Sequence, residues 1–174
     1  SNDVPVITLN GVSKVYFAPG WRIGYMAWHD PKGVLTRVRD GVERLLRSRL
    51  CASTPAQHGF LAGLIGDQGW LSGHRELIRK RLDYSLGRID SIDGIECQPP
   101  GGAFYLFVRI TDPSLSSDDK KFVLDLLHKK HVLLVHGSGF SPEMGKGHFR
   151  MVCLPEVELL SEAFDRIEAF LKGE

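Results

Sequence analysis

From residue 95 to the last residue, short apolar runs alternate with amphipathic stretches, and this alternation most narrows what the chain can build. Residues 95–98 and 103–110 read as strands, separated by the turn sequence PPGG. Residues 111–117 read as a polar loop. Ser117 can cap a helix reaching Lys130, with Phe122, Val123, Leu126 and Leu127 on its buried face. Residues 131–136 (HVLLVH) and 149–154 read as two further strands around a glycine-rich irregular segment, 137–147. A final helix is expected from Pro155, with Leu159, Leu160, Ala163, Phe164, Ile167 and Phe170 as its apolar stripe. Strand–strand–helix–strand–strand–helix is a compact α/β unit with its own core.

The preceding residues are organised differently. Residues 4–9 (VPVITL) predict a buried strand broken by Asn10-Gly11, and residues 23–28 (IGYMAW) predict a second, stopped by Asp30-Pro31. Three helices follow, over residues 33–50, 55–65 and 72–92. The first carries Val34, Leu35, Val38, Val42, Leu45, Leu46 and Leu50 at helical spacing. Two strands make a poor sheet by themselves, so this part reads as the remnant of a larger sheet. The expected class is α/β, divided into a large-domain part (1–71), a connecting helix (72–94) and a small α/β domain (95–174). Ser1 and Asn2, read as the remnant of an expression tag, are left out of the fold argument.

The 22 basic and 21 acidic residues nearly cancel, giving a formal net charge of +1. That balance offers no electrostatic footprint for nucleic acid or an anionic membrane, and no apolar run reaches the roughly 20 residues that span a bilayer. Cys51, Cys97 and Cys153 lie far apart and the seven histidines lack metal-ligand spacing, so no metal is expected. Three reduced thiols fit a cytoplasmic setting.

The chemistry concentrates in residues 10–25, NGVSKVYFAPGWRIGY. Lys14 follows the first expected strand, and Arg22 precedes the second. A lysine amine can condense with an aldehyde, and an arginine fork can grip a phosphate. Spacing alone leaves two readings open: a site for a phosphorylated aldehyde cofactor, or a loop with two solvated cations.

Ser13-Lys14-x-Tyr16 followed by Gly20-x-Arg22-x-Gly24-Tyr25 resembles the cofactor-lysine segment of class I and II aminotransferases, which are fold-type-I enzymes dependent on pyridoxal 5'-phosphate. The resemblance implies that Lys14 holds the cofactor covalently and later acts as general base, and that Arg22 pairs with the cofactor phosphate. Many members place a serine three residues before the lysine; here that position is Gly11, with Ser13 a candidate replacement. Residues 51–57 (CASTPAQ) resemble the segment that opens a helix and, in dimers, touches the partner's site. Ser53 is the candidate ligand there, against a plain helix cap as the simpler reading. Residues 100–105 (PGGAFY) resemble the entry to the small-domain strand. Residues 147–152 (GHFRMV) resemble the substrate-arginine segment, which makes Arg150 the candidate for the substrate carboxylate. An ion pair with a nearby acid is the structural alternative for Arg150.

The resemblance covers the whole chain but only about the last two fifths of a typical member, lacking the part that supplies the pyridinium aspartate, the ring-stacking aromatic and the phosphate turn. It implies the C-terminal part of the fold, amino-group transfer from an amino acid to a 2-oxo acid of the alanine/aspartate type, and a homodimer. These residues alone are not expected to transaminate. A carbon–sulfur lyase and an aminotransferase-like effector domain of a transcription regulator share the same signature.

Overall fold

A computed structural model describes residues 3–174; Ser1 and Asn2 lie outside the described residues. The chain divides into two compact units at Gly69/Trp70.

The first unit opens with an antiparallel ribbon, β1 (Val6–Gly11) and β2 (Gly24–His29), in which Val6 faces His29 and Gly11 faces Gly24. A one-turn helix, α1 (Val12–Val15), and a 3-10 turn over Pro19–Trp21 connect them. Two longer helices follow, α2 (Thr36–Arg49) and α3 (Thr54–Ile65). Asp30 secures the approach to α2 by accepting from the backbone N–H groups of Val34 and Leu35, at 3.0 and 2.8 Å. Asn10-Gly11 does not break β1, as the dipeptide suggests; both residues continue the ladder. The expectation of a buried first strand also fails. Val6 is 45% and Leu9 70% exposed, because an isolated two-stranded ribbon has neither face covered. The expected stripe on α2 is equally bare, with no buried residue. The small core of this unit is Val12, Ile23 and Phe60, with Tyr16, Ala18 and Ala56 packed around it.

The second unit opens with the long helix α4 (Trp70–Asp90) and continues through β3 (Ile95–Cys97), β4 (Tyr105–Ile110), α5 (Pro113–Ser116), α6 (Asp119–Lys130), β5 (Val135–His136), β6 (His148–Val152) and α7 (Val157–Leu171). Its sheet is antiparallel with strand order β3-β4-β6-β5. Period-two alternation sorts the strands: Leu106, Val108, Ile110, Phe149 and Met151 are buried against Ile89, Phe122, Leu126, Phe164 and Ile167 of the helices. Tyr105, Phe107, Arg109, His148 and Arg150 alternate with them and occupy the opposite face.

Four local expectations shift here. The polar loop at 111–117 contains α5, whose N-cap Asp112 accepts from Ser114 N–H. Asp118, not Ser117, caps α6 through Lys121 N–H at 2.8 Å. The strand expected over 131–136 pairs only at Val135 and His136. His131 ends α6 in the left-handed region at φ 58°, and the chain needs the following residues to turn from helix to sheet. The last helix begins at Val157, behind Glu156 as N-cap, rather than at Pro155.

Candidate active site

The β1–β2 register decides where the signature residues lie. Gly11 faces Gly24, and Val12 N–H donates to Ile23 C=O at 3.3 Å just beyond the ladder. Ser13 and Lys14 on α1 therefore leave the ribbon at the same end as Arg22. A Cβ on Gly11 would fit tightly, 3.1 Å from the Ile23 carbonyl oxygen, and one on Gly24 would clash, 2.5 Å from the Asn10 carbonyl oxygen. The two backbones approach too closely for ordinary side chains.

Arg22 adopts the left-handed conformation (φ 52°), and its Nη1 donates to the Pro19 carbonyl at 2.7 Å. The turn before it is pinned by packing. The Trp21 ring lies against Gly59 of α3 and the Tyr16 ring against Gly63 one turn later. Phe60, between the two glycines, meets Tyr16 edge-on at 6.0 Å and Tyr25 at 5.8 Å. Glycines four residues apart thus let α3 seat two aromatic rings that flank the Lys14 and Arg22 segments. Lys14 itself is exposed. Ser53 occupies the N-cap position of α3, where its carbonyl accepts from Gln57 N–H at 3.0 Å; its hydroxyl makes no capping hydrogen bond. An amine, a guanidinium and the Ser13 hydroxyl at one end of a ribbon suit an aldehyde that carries a phosphate.

Arg150 belongs to the second unit. Its guanidinium carbon lies 4.9 Å from the Tyr105 ring centroid and 4.6 Å from that of Phe140. Phe107, its register partner on β4, stacks on His148 at 5.0 Å and meets Phe140 edge-on at 6.1 Å. The Arg150 Nε is buried without a hydrogen-bond partner, and Arg150 forms no ion pair among the described residues. The structural ion pair allowed for by the sequence is therefore not formed. A guanidinium held between rings with an unspent buried donor is suited to a planar anion such as a carboxylate. Arg81, which is buried and likewise has an unpartnered Nε, differs in that its other nitrogens are engaged by the Leu154 carbonyl and by Glu156.

The sequence offers the 135–140 loop, through His136 and Ser138, as either a lining of the site mouth or a plain surface loop, and the resemblance puts the 100–105 segment with Tyr105 beside the substrate; neither singles out Phe140 or Asp119. Phe140 arrives from the glycine-rich segment and carries no periodic signal. Asp119, one of the few buried charged residues, sits in the first turn of α6 and accepts from Ser138 N–H at 2.7 Å. Among the described residues no group of side chains could hold a metal ion and no helix is long and apolar enough to cross a membrane. Burial pushes the thiols of Cys97 and Cys153 above the usual cysteine range.

A two-strand ribbon carrying a lysine and an arginine, followed by an α/β unit with an aromatic-clasped arginine, defines a piece of an aminotransferase fold. The sequence model of the family "aminotransferase class I and II" matches residues 1–167, and the chain belongs to that family. It is 41% identical to the glutamate-pyruvate aminotransferase AlaA of Haemophilus influenzae over 97% of this chain and 42% of the relative. It is 36% identical to the alanine aminotransferase of Mycobacterium tuberculosis, over 97% of this chain and 40% of the relative. The alanine aminotransferase structure from Pyrococcus furiosus superposes with a TM-score of 0.94 at 50% identity, covering 100% of this chain and 44% of that one. The chain thus has the mixed α/β fold of part of these enzymes, and spans about two fifths of the length of the relatives it matches.

Proposed function

We propose that this sequence supplies the cofactor lysine and the substrate arginine of an alanine-type aminotransferase that moves an amino group from an amino acid to a 2-oxo acid. The observation that carries this reading is the register of the ribbon, which delivers Ser13-Lys14 and Arg22 to one end. The relatives named for alanine and glutamate–pyruvate transamination support the reaction type.

The donor set fits pyridoxal 5'-phosphate: Lys14 would supply the amine, Arg22 a cationic partner for the phosphate, and Ser13 and Ser53 hydroxyls. When bound, the cofactor supplies the electron sink that makes the substrate Cα–H acidic. Lys14 Nζ would be the base that takes this proton. Arg22 anchors the phosphate so that the reacting carbon keeps its place. Arg150 takes the substrate α-carboxylate in its fork, and Tyr105 and Phe140 keep water off the guanidinium, which strengthens the ion pair. In a homodimer, as the family resemblance implies, the 51–57 segment would place Ser53 at the partner's site. The remaining length seen in relatives would complete the site. These 174 residues by themselves are then expected to be inactive.

The test is an amino-transfer assay on the full-length protein containing this sequence, with glutamate and pyruvate as substrates. Alanine and 2-oxoglutarate formed in equal amounts support the reading. Pyruvate released from cysteine-type substrates without any 2-oxo acid acceptor, and no transfer, would replace it with a carbon–sulfur lyase.

A further inference from the structure

We propose that Asp119 is a positioning residue for the carboxylate site, acting by fixing the turn that lays Phe140 on Arg150; the proposal rests on the reading of Arg150 given above. Asp119 is 3% exposed. It is not the cap of α6, a role already taken by Asp118. Its Oδ2 instead reaches out of the helix to accept from Ser138 N–H at 2.7 Å, across 19 residues of sequence. Ser138 is the middle residue of the 3-10 turn Gly137–Gly139, and Phe140 immediately follows.

That turn is held at three further points. Phe140 N–H donates to the Gly137 carbonyl at 2.8 Å, and Ser141 N–H to the same oxygen at 3.3 Å. The Ser138 hydroxyl lies 3.0 Å from His136 Nδ1. Gly137 is pressed against Gly145, whose carbonyl oxygen would stand 2.2 Å from any Cβ at 137. His136 pairs with Phe149 on β6, and Gly137 lies against His148 at the start of the same strand, so one side of the turn is already anchored to the sheet. The Asp119 bond adds a second anchor on the other side, tying the middle of the turn to α6, which packs in the main core through Phe122, Val123 and Leu126. A charged acceptor with short geometry gives one of the stronger hydrogen bonds available. Burial makes it hard to replace by water.

The consequence reaches the site through Phe140. Tyr105 covers one side of the guanidinium from β4, a central strand whose position the sheet fixes. Phe140 covers it from a loop, and a loop residue holds an arginine only as firmly as the loop is held. Releasing the turn would let Phe140 leave the guanidinium, return water to it and widen its rotamer choice. Affinity for substrate carboxylates should then fall while the chemistry at Lys14 proceeds at nearly the same rate.

The test is the single-turnover half-reaction of the full-length holoenzyme with amino acid, which yields a dissociation constant and a limiting rate separately. Asp119→Ala is expected to weaken the amino acid about tenfold, the scale of one hydrogen bond to a charged group, with the limiting rate changed less than about threefold. Phe140→Ala should do the same. The double variant should lose no more than about twofold beyond either alone, since both act on one contact. Should Asp119→Ala fail to fold, the pair Asp119→Asn and Asp119→Glu decides. The asparagine keeps an acceptor in the same place and should bind nearly as the native protein does. The glutamate keeps the charge but displaces the acceptor and should weaken binding several-fold. Independent, multiplying effects of Asp119→Ala and Phe140→Ala would overturn the proposal, as would a glutamate variant that binds better than the asparagine one. Arg150→Lys, run alongside, separates the two levels. If it weakens the amino acid and the Asp119 variants do not, only the positioning role falls. If it leaves binding unchanged, the substrate reading of Arg150 falls and the positioning role with it.

Discussion

The indole of Trp21 lies so close over Gly59 that a Cβ at that position would sit 2.4 Å from its Cζ3 and 2.7 Å from its Cη2. A glycine in mid-helix ordinarily costs about 1 kcal/mol relative to alanine. Here the gain in helix propensity from Gly59→Ala is overtaken by displacement of a rigid ring. Trp21 directly precedes Arg22, so displacing the ring disturbs the turn that carries the guanidinium. Gly59→Ala is expected to shift the tryptophan emission and to weaken retention of pyridoxal 5'-phosphate in the full-length protein by several-fold, measured by equilibrium dialysis. Unchanged emission and retention would show that the contact does not hold the arginine turn.

Among the described residues Arg150 forms no ion pair, and its guanidinium packs on the Tyr105 and Phe140 rings. On the proposed role of Arg150, Arg150→Ala removes a charge-assisted pair to the substrate carboxylate, worth about 1.5–3 kcal/mol per hydrogen bond to a charged group. The Michaelis constants for the amino acid and the 2-oxo acid should both rise by at least about tenfold. An amine lacking a carboxylate should react equally with both proteins. Steady-state kinetics on the three substrates checks this.

The second unit owes its stability to the face of the sheet opposite Arg150. Phe164 is fully buried there, among Ile89, Leu106 and Ile167. Phe164→Ala leaves a cavity and should cost about 3–5 kcal/mol. Asp118→Ala removes only the α6 cap and should cost about 1 kcal/mol. Urea denaturation followed by far-UV circular dichroism ranks the two, and a reversed order would contradict the assignment of core and cap.

Cysteine reactivity should be graded. Cys51 is exposed, Cys97 half-buried and Cys153 fully buried. Burial holds the last two thiols above the ordinary range, which lowers their thiolate fraction near neutral pH. Alkylation of this chain by iodoacetamide near pH 7.5, read by peptide mass mapping, should label Cys51 first and Cys153 last. Raising the pH should speed Cys97 more than it speeds an unhindered thiol.

Much of this was legible in the sequence because periodicity survives without partners. The α7 stripe and the alternation in β4 and β6 predict the second unit's core, since the apolar face of each element finds its partners within the chain. The first unit shows the converse. The apolar run of residues 4–9 and the α2 stripe read as buried, yet stand exposed, because pattern reports what a segment is suited to pack against and not whether the partner is present. Short motifs carried Lys14, Arg22 and Arg150. The 135–140 loop was legible as a candidate site mouth, but nothing in it singled out the Phe140 ring, and Asp119 looks like any acidic residue of a helix first turn. Burial of its carboxylate is a tertiary fact. The 131–134 segment misled for a related reason: its apolar residues read as strand, but His131 closes α6 and leaves only two residues to pair.

The most direct test is borohydride trapping of the cofactor on the full-length protein, with peptide mass mapping and this chain as a control. A phosphopyridoxyl group confined to Lys14 in the full-length protein, and absent from the chain alone, is the predicted result. Label missing from Lys14, or scattered over surface lysines, would contradict the assignment of the ribbon end as the cofactor site.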